Sequence, residues 1–446
     1  MTTTLPRSVG AWGGVAIMMG IMIGSGIYRT PTTIAAQLSQ PWLILGLWAI
    51  GAAVALCGAL VYAELGTMFP RAGGLYVFLH EGLGRPVAFS FGWCYLIITQ
   101  PLATAGIVTV FAEHVAMIAK QQESTIFVHG VTIVTILALT ALNVTGLRRG
   151  AGMAVVLTGA KTLALAAIII LALLIGGGDT ANLADQSASK PAVGSLWGAI
   201  IPVMMAILWT YDGWSDAAAV AEEIREPQRR LPRMFLGGTL TVAVLYLAAN
   251  AVYMWMIPLE EMARTETVAP LVMERLVGSA GGGLVTALIL ISTLGAAHAS
   301  LICGARVSFG QARDGLLFAP IAHVHRRYGT PDVALWIQGI LACGMVLLLR
   351  EFDALINSFV FTSWIFYGLA GLSLFILRRR RPDAPRPYRC AGYPVVPGLF
   401  VLAAVGMTIG SIVNSPMSTL PWIGLLALGA PLYLLWDRGA GRAGGA

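Results

Sequence analysis

An all-α integral membrane protein with 12 transmembrane helices is the fold class this sequence predicts, on three observations. The 446 residues are 57% hydrophobic and 11% charged, with a mean hydropathy of +0.79, whereas ordinary soluble domains are roughly 45–50% apolar. The apolar residues gather into runs of about twenty, the length needed to cross a hydrocarbon core about 30 Å thick. The 28 Lys and Arg residues exceed the 21 Asp and Glu for a net charge of +7, yet they sit in short segments between the runs. A nucleic-acid binder would instead collect them on one exposed face. A single soluble fold is excluded, and no nucleic-acid partner is needed to explain the basic residues.

The spans are read at residues 10–36, 41–68, 86–119, 127–145, 153–175, 196–221, 234–257, 283–308, 333–349, 355–377, 395–413 and 420–436. The first follows a short polar lead without a small-residue cleavage site, so it reads as a retained helix. An even number of spans puts both termini on one side. With the N-terminus cytoplasmic, the inside segments together with the inner ends of the spans collect 21 basic residues, among them Arg148, Arg149, Arg225, Arg229, Arg230, Arg233 and Arg378 to Arg381. The outside loops hold five, Lys120, Lys190, Arg264, Arg275 and Arg350, while Arg29 and Lys161 lie within spans. This asymmetry orients both termini to the cytoplasm. The five cysteines, Cys57, Cys94, Cys303, Cys343 and Cys390, show no short-spaced pair of the kind a zinc site or redox dithiol uses.

Two spans are interrupted. The first carries Gly20, Gly24, Ser25 and Gly26 at mid-depth, followed by Arg29 and Pro31; the sixth carries Trp209-Thr210-Tyr211-Asp212-Gly213-Trp214. Freed backbone groups and a carboxylate at membrane depth require protein or water around them, so each break points to a cavity. The breaks are about 187 residues apart, and each opens a block of five helices. That spacing matches two inverted repeats, residues 10–175 and 196–377, with two further spans at 395–436 outside them.

In the first break, unwinding at Gly24 would free the amides of Ser25, Gly26 and Ile27 at the positive start of the second half-helix, a seat for a carboxylate. The competing reading is close helix packing through small residues; a matching break in the sixth span favours a ligand. There, backbone carbonyls near Trp209, Thr210, Tyr211 and Asp212 would face an ammonium. Carboxylate and ammonium seats facing each other describe an amino acid. Trp209 would lie over it as an aromatic gate, its depth being wrong for an interfacial anchor. Asp212 either caps the next half-helix at the amides of Trp214 and Ser215 or touches the substrate.

Lys161 is about ten residues into its span, roughly 15 Å deep at 1.5 Å per residue, too deep to snorkel. It is either deprotonated by desolvation or held by oxygens, with the carbonyls of Gly20 or Ile21 and the hydroxyls of Ser292 and Thr293 as candidate partners. A lysine there would occupy the place where a sodium-coupled protein binds its ion; a purely structural lysine is the competing reading. Glu64 reads as paired with a basic loop residue, and His298 as a hydrogen-bonded packing residue rather than a proton relay. Neither metal-ligand spacing nor a phosphate-cradling loop is present, so no cofactor is expected and an ATP-driven pump or an enzyme is disfavoured.

These residues together resemble a bacterial member of the amino acid, polyamine and organocation superfamily, close to its L-type amino acid transporter branch. The resemblance runs from Val15 to about Arg389 and rests on GSGIY, YAELGTMFPRAGGLYVFLHEGLG, WTYDGWSDAAAVAEEIREPQRRLPR, STLG with ARDG, and RPYRCAGYPVVP. It implies the leucine-transporter fold, a 5+5 inverted repeat plus two peripheral helices, and transport of amino acids across a bacterial inner membrane by alternating access. Ser25, Gly26 and Ile27 would bind the carboxylate, the carbonyls of Trp209, Thr210 and Asp212 the amine, and Lys161 would replace sodium. Sodium-independent exchange is implied, with small or medium neutral amino acids as the expected cargo; Asp212 occurs in some relatives that accept cationic as well as neutral substrates, which leaves Arg, Lys and ornithine as the alternative. Heteromeric relatives bear a cysteine between spans 3 and 4 that links a heavy chain; here that loop, KQQESTIF, has none, so no disulfide-linked partner is expected. Ala296, His298 and Ser215 depart from residues that relatives place there. A proton-coupled symporter using Lys161 or Glu113 is the nearest rival reading, and an amine-gated receptor or channel a more distant one.

Overall fold

The computed structural model describes residues 7, 9–145, 147–184, 196–349, 352–414 and 416–443; Lys190 and Arg350, assigned above to outside loops, lie outside the described residues. The first expected span is two helices, α1 (Ala11–Met22) and α2 (Gly26–Gln37), with residues 23–25 unwound between them. α3 (Pro41–Met68) opens on a proline, which is tolerated because that position has no intrahelical acceptor, and it stops before Pro70. A short α4 (Leu75–Leu83) follows.

The third span is a 34-residue continuum of α5 (Arg85–Cys94), a π-helical turn at Tyr95–Thr99, and α6 (Gln100–Ile118). Pro101 lacks the N–H that would bond one turn back, and the widened turn lies just before it. α7 (Thr125–Val144) is capped by Ser124, whose hydroxyl accepts the amide of Phe127 at 3.3 Å. α8 (Leu147–Ile175) carries Lys161. The sixth span is α9 (Leu196–Tyr211), a turn, and a 3-10 segment at Asp216–Glu223; its second half is therefore tighter than the α-helix expected.

α10 (Pro227–Met256), the short α11 (Leu259–Met262), α12 (Val268–Val277) and the 35-residue α13 (Ser279–Arg313) come next. They are followed by α14 (Asp332–Leu348), α15 (Phe352–Arg380) and α16 (Val395–Asn414). The last expected span is divided into α17 (Pro416–Ala427) and α18 (Gly429–Ala443), the interruption falling just ahead of Gly429 and Pro431, the weakest helix formers nearby. Among the described residues nine helices are long and apolar enough to cross a membrane. The first and sixth spans miss that criterion because they are broken, and α14 because it has 17 residues.

The broken helices are central. α1 packs on α8, α10 and α13, and α2 packs on α9, which also meets α3, α15 and α16. The outer faces carry exposed aliphatics such as Leu163, Leu174, Ile340 and Leu402, as lipid contact requires. Inside, Trp48 meets Tyr211 and Tyr246 edge-on at 5.5 and 6.0 Å, and Tyr62 meets Trp214 at 4.9 Å, pairs worth about 0.5–1.5 kcal/mol each beyond burial.

Candidate substrate site

The unwound residues of the first break leave backbone groups of both signs. On the α2 side the first intrahelical bonds are donated by Tyr28 and Arg29, both to the carbonyl of Ser25 at 3.2 Å. The amides of Ser25, Gly26 and Ile27 precede them and stand at the positive end of α2. On the α1 side three carbonyls of the last turn are taken up by side chains of three other helices. Gly20 accepts from Lys161 Nζ of α8 at 2.5 Å, Met22 from the Tyr246 hydroxyl of α10 at 2.6 Å, and Ile23 from Ser292 Oγ of α13 at 3.1 Å. A helix end in an apolar interior holds only if such carbonyls find donors.

The second break meets the first. Gly213 has φ +111°, a value that favours glycine, and a Cβ there would come within 2.7 Å of Ile21 Cγ2 and 2.9 Å of the Met22 amide. Reciprocally, a Cβ on Gly26 would meet Thr210 Oγ1 at 2.8 Å. Thr210 Oγ1 also lies 2.8 Å from Thr30 Oγ1 and from the Ala206 carbonyl, fastening α9 to α2. The Asp212 amide donates to the Trp209 carbonyl at 3.1 Å, so that carbonyl offers a ligand only its second lone pair.

Between the breaks is a cavity of about 40 Å³, where one water needs about 10–15 Å³. Six of the residues singled out from the sequence line it: Gly24, Ser25, Gly26, Trp209, Thr210 and Asp212. Ile27 and Tyr211 do not. Ile27 is fully buried, and Tyr211, turned about 100° from Thr210 on the helix, points into the Trp48–Tyr246 cluster. Gly20, Lys161 and Ser292 stand behind the cavity, bracing the end of α1. Thr293 makes no contribution to Lys161: its hydroxyl donates back to Ile289 and Leu290 of its own helix at 2.9 and 3.0 Å, a common alternative for threonine inside a helix.

Asp212 is engaged differently from a helix cap. Its Oδ1 accepts the Tyr367 hydroxyl at 3.0 Å, and Tyr367 accepts from Ser215 Oγ at 2.8 Å; the 3-10 segment that follows has Ser215, not Asp212, at its N-cap. Trp209 packs edge-on against Phe359 at 5.0 Å over the cavity, as an aromatic cover would. Sequence reasoning passed over Asp216, Ser300 and Phe359, which line the cavity, and Tyr246 and Tyr367, which brace it. For Asp216 the signal was present, since it is a second carboxylate at membrane depth four residues after Asp212.

The N-terminal end of α1 is fastened to the exit of the sixth span. Val9 donates to the Glu223 carbonyl at 2.9 Å and accepts from the Arg225 amide at 3.0 Å, and Glu223 receives Arg306 Nε of α13 at 2.5 Å in a pair that is about 4% exposed. At the other end Arg29 of α2 pairs with Glu113 of α6. Glu64 is buried and paired, with Arg378 at 2.6 Å and Arg386 at 3.3 Å, and it accepts the Cys390 amide at 2.6 Å. His298 departs from expectation: both ring nitrogens are buried without a hydrogen-bond partner among the described residues. The described residues hold no cluster of three metal-ligating side chains.

Two broken helices crossing about a small cavity within an apolar bundle define a membrane permease. The family described as amino acid permease matches residues 9–430, and the chain belongs to that family, on its L-type branch within the amino acid, polyamine and organocation superfamily. It is similar to the b(0,+)-type amino acid transporter 1 of Mus musculus, 31% identical over 418 residues that cover 93% of this chain and 84% of the relative. It is also similar to the serine/threonine exchanger SteT of Bacillus subtilis (strain 168), 29% identical over 96% of both chains. The human cystine/glutamate transporter is 28% identical over 97% of this chain and 86% of its own length. Membership makes the chain an integral membrane transporter rather than an enzyme.

Proposed function

We propose that the protein is a sodium-independent exchanger of small or medium neutral L-amino acids, working by alternating access in a bacterial inner membrane. The observation that carries this reading is the crossing of the two breaks, which brings Gly24, Ser25 and Gly26 and the turn at Trp209, Thr210 and Asp212 around one cavity. The amides seat the carboxylate and the turn seats the ammonium, so that a zwitterion satisfies both with no net charge brought in. Lys161 Nζ donates to the Gly20 carbonyl at the end of α1, standing in the place where a sodium-coupled relative would bind its ion. The exchange activity named for SteT, which spans nearly the same length, supports the same reading.

The fold that goes with this function has twelve spans with both termini cytoplasmic. Residues 10–175 and 196–377 form the two inverted repeats, and residues 395–436 the peripheral pair. Substrate closes the halves of the first and sixth spans around itself, and their joint movement then exposes it to the other side. Counterflow in proteoliposomes tests the whole. Labelled serine or alanine should accumulate against unlabelled internal substrate without sodium and without a pH gradient. Uptake into liposomes empty of amino acid, driven by a pH gradient, would instead make it a proton symporter, and a ligand-gated current a channel.

A further inference from the structure

The sixth span runs into α10 through REPQRRLPR, which puts Arg229, Arg230 and Arg233 at the third, fourth and seventh positions of that helix. Guanidinium groups there add to the positive end of the helix dipole, an unfavourable placement unless an anion answers it. Topology explains why basic residues lie at this end of the bundle; it does not explain why these three gather around one groove. The groove, of about 540 Å³, lies between Trp12 and Val15 of α1 and the three arginines of α10, and Glu226 is its one acidic residue. Sites for small molecules run to about 300–1,000 Å³, so there is room for a headgroup and not merely for an ion.

Other arginines expected on this side have carboxylates of their own. Arg306 pairs with Glu223, Arg313 with Glu222, Arg378 with Glu64 and Arg381 with Glu81. In the groove Glu226 accepts from Arg230 at 3.1 Å, while Arg229 and Arg233, both exposed, have no carboxylate partner among the described residues. Three positive charges against one negative leave a surplus that a ligand can meet.

The groove continues into an apolar face. Positions 229, 233, 237, 240 and 244 recur every three or four residues and so share one side of α10. Beyond the arginines that side carries Gly237, where a Cβ would meet nothing within 4 Å, and the exposed Leu240 and Val244. Trp12, 78% exposed, stands on the α1 side and is of the type that seats at the membrane–water boundary. Cations at the surface, an aromatic ring at the boundary and aliphatic surface beyond match a phospholipid rather than a soluble anion. A zwitterionic lipid would bring its own cation toward the two arginines that lack a partner; an anionic one does not.

We propose that Arg229 and Arg233, beside Trp12, bind the phosphate of an anionic phospholipid whose acyl chain lies along Gly237, Leu240 and Val244. The headgroup then joins α1 to α10 next to the backbone pairing of Val9 with Glu223 and Arg225. This site is separate from the substrate cavity and stands whatever the chain transports.

The test is native mass spectrometry of the detergent-purified chain titrated with phosphatidylglycerol or phosphatidylcholine of the same acyl length, using the native chain, R229Q/R233Q and R379Q/R380Q. The last removes the same charge from exposed positions at the end of α15. The native chain should prefer phosphatidylglycerol. R229Q/R233Q should weaken its binding about 25-fold, roughly fivefold for each arginine, and R379Q/R380Q by less than about twofold. Should R229Q/R233Q fail to fold, R229K/R233K keeps the charge but gives up the bidentate grip on phosphate, and a smaller loss in the same direction is expected. Equal losses in the two glutamine variants overturn the site and leave only a general attraction to positive charge. Equal binding of both lipids by the native chain, or undiminished binding in R229Q/R233Q, overturns it as well. Displacement of phosphatidylglycerol by an equal concentration of inorganic phosphate would make the groove a site for soluble anions and end the lipid reading.

Discussion

Lys161 reaches from α8 to the carbonyl of Gly20, 2.5 Å away, on the last turn of α1 before the chain unwinds. The same face of α8 supplies Thr158, whose hydroxyl donates to the Ala16 carbonyl at 2.9 Å, so α1 is held at two successive turns. Lys161→Ala removes the deeper hold and leaves a buried carbonyl unpaired, at a cost of about 1–3 kcal/mol. Exchange should fall by about tenfold or more, while equilibrium binding of the amino acid, which depends on the amides of α2, changes much less. Binding by calorimetry and exchange in proteoliposomes are to be compared in the same preparation; undiminished exchange in the variant rejects the role.

Gly26→Ala tests the crossing of the breaks. The added methyl would come within 2.8–3.0 Å of three Thr210 atoms, one of them its Cα, so the two helices must part. Overpacking of this kind costs about 1–3 kcal/mol, and substrate affinity should drop by roughly five- to a hundredfold with the protein still folded. Gly46→Ala, where a Cβ meets nothing within 4 Å, serves as the control and should keep native affinity.

Glu64 ties α3 to the end of α15 and to the segment before α16 through Arg378, Arg386 and the Cys390 amide. Glu64→Gln leaves two guanidinium groups short of their carboxylate, and breaking a buried pair in this way costs about 3–5 kcal/mol. A clearly lower melting temperature in detergent is expected. Cys390 gives a second readout: burial, reinforced by the nearby carboxylate, pushes its thiol up to about 12. Maleimide at pH 7 to 8 should therefore leave it unmodified in the native protein and begin to label it in Glu64→Gln. Rapid labelling of Cys390 in the native chain contradicts this arrangement.

Glu223 and Arg306 form a pair about 4% exposed between the end of the sixth span and α13. Glu223→Gln weakens that closure without touching the cavity lining, so the population open toward the N-terminal end of α1 should rise. A cysteine placed at Met22, which lines the cavity, should then react faster with a water-soluble thiol reagent added from that side. Equal rates in the two backgrounds would remove Glu223 from the gate.

What could be foreseen follows the physics of each feature. The two breaks were legible because glycine and charge at membrane depth are local violations of a strong rule, and the depth of Lys161 called for an oxygen partner, with the Gly20 carbonyl one of the candidates. Which way a side chain turns is settled by neighbours distant in the chain. The Tyr211 ring turns away from the cavity because the Trp48–Tyr246 cluster that receives it comes from α3 and α10. Thr293 bonds its own helix for want of a nearer acceptor. Asp216, four residues after Asp212, is marked by the same rule of a carboxylate at membrane depth.

The backbone pairing of Val9 with the residues around Ile224 means that the start of α1 cannot swing by itself. It either carries the exit of the sixth span along or peels away from it first. Two main-chain hydrogen bonds contribute about 1 kcal/mol each in net strength, a fastening weak enough to be undone by thermal motion and remade on every turnover. A clasp of that kind makes the segment leading into α1 a moving part, and a bulky insertion placed directly before Val9 should slow the cycle even though it lies far from the bound amino acid.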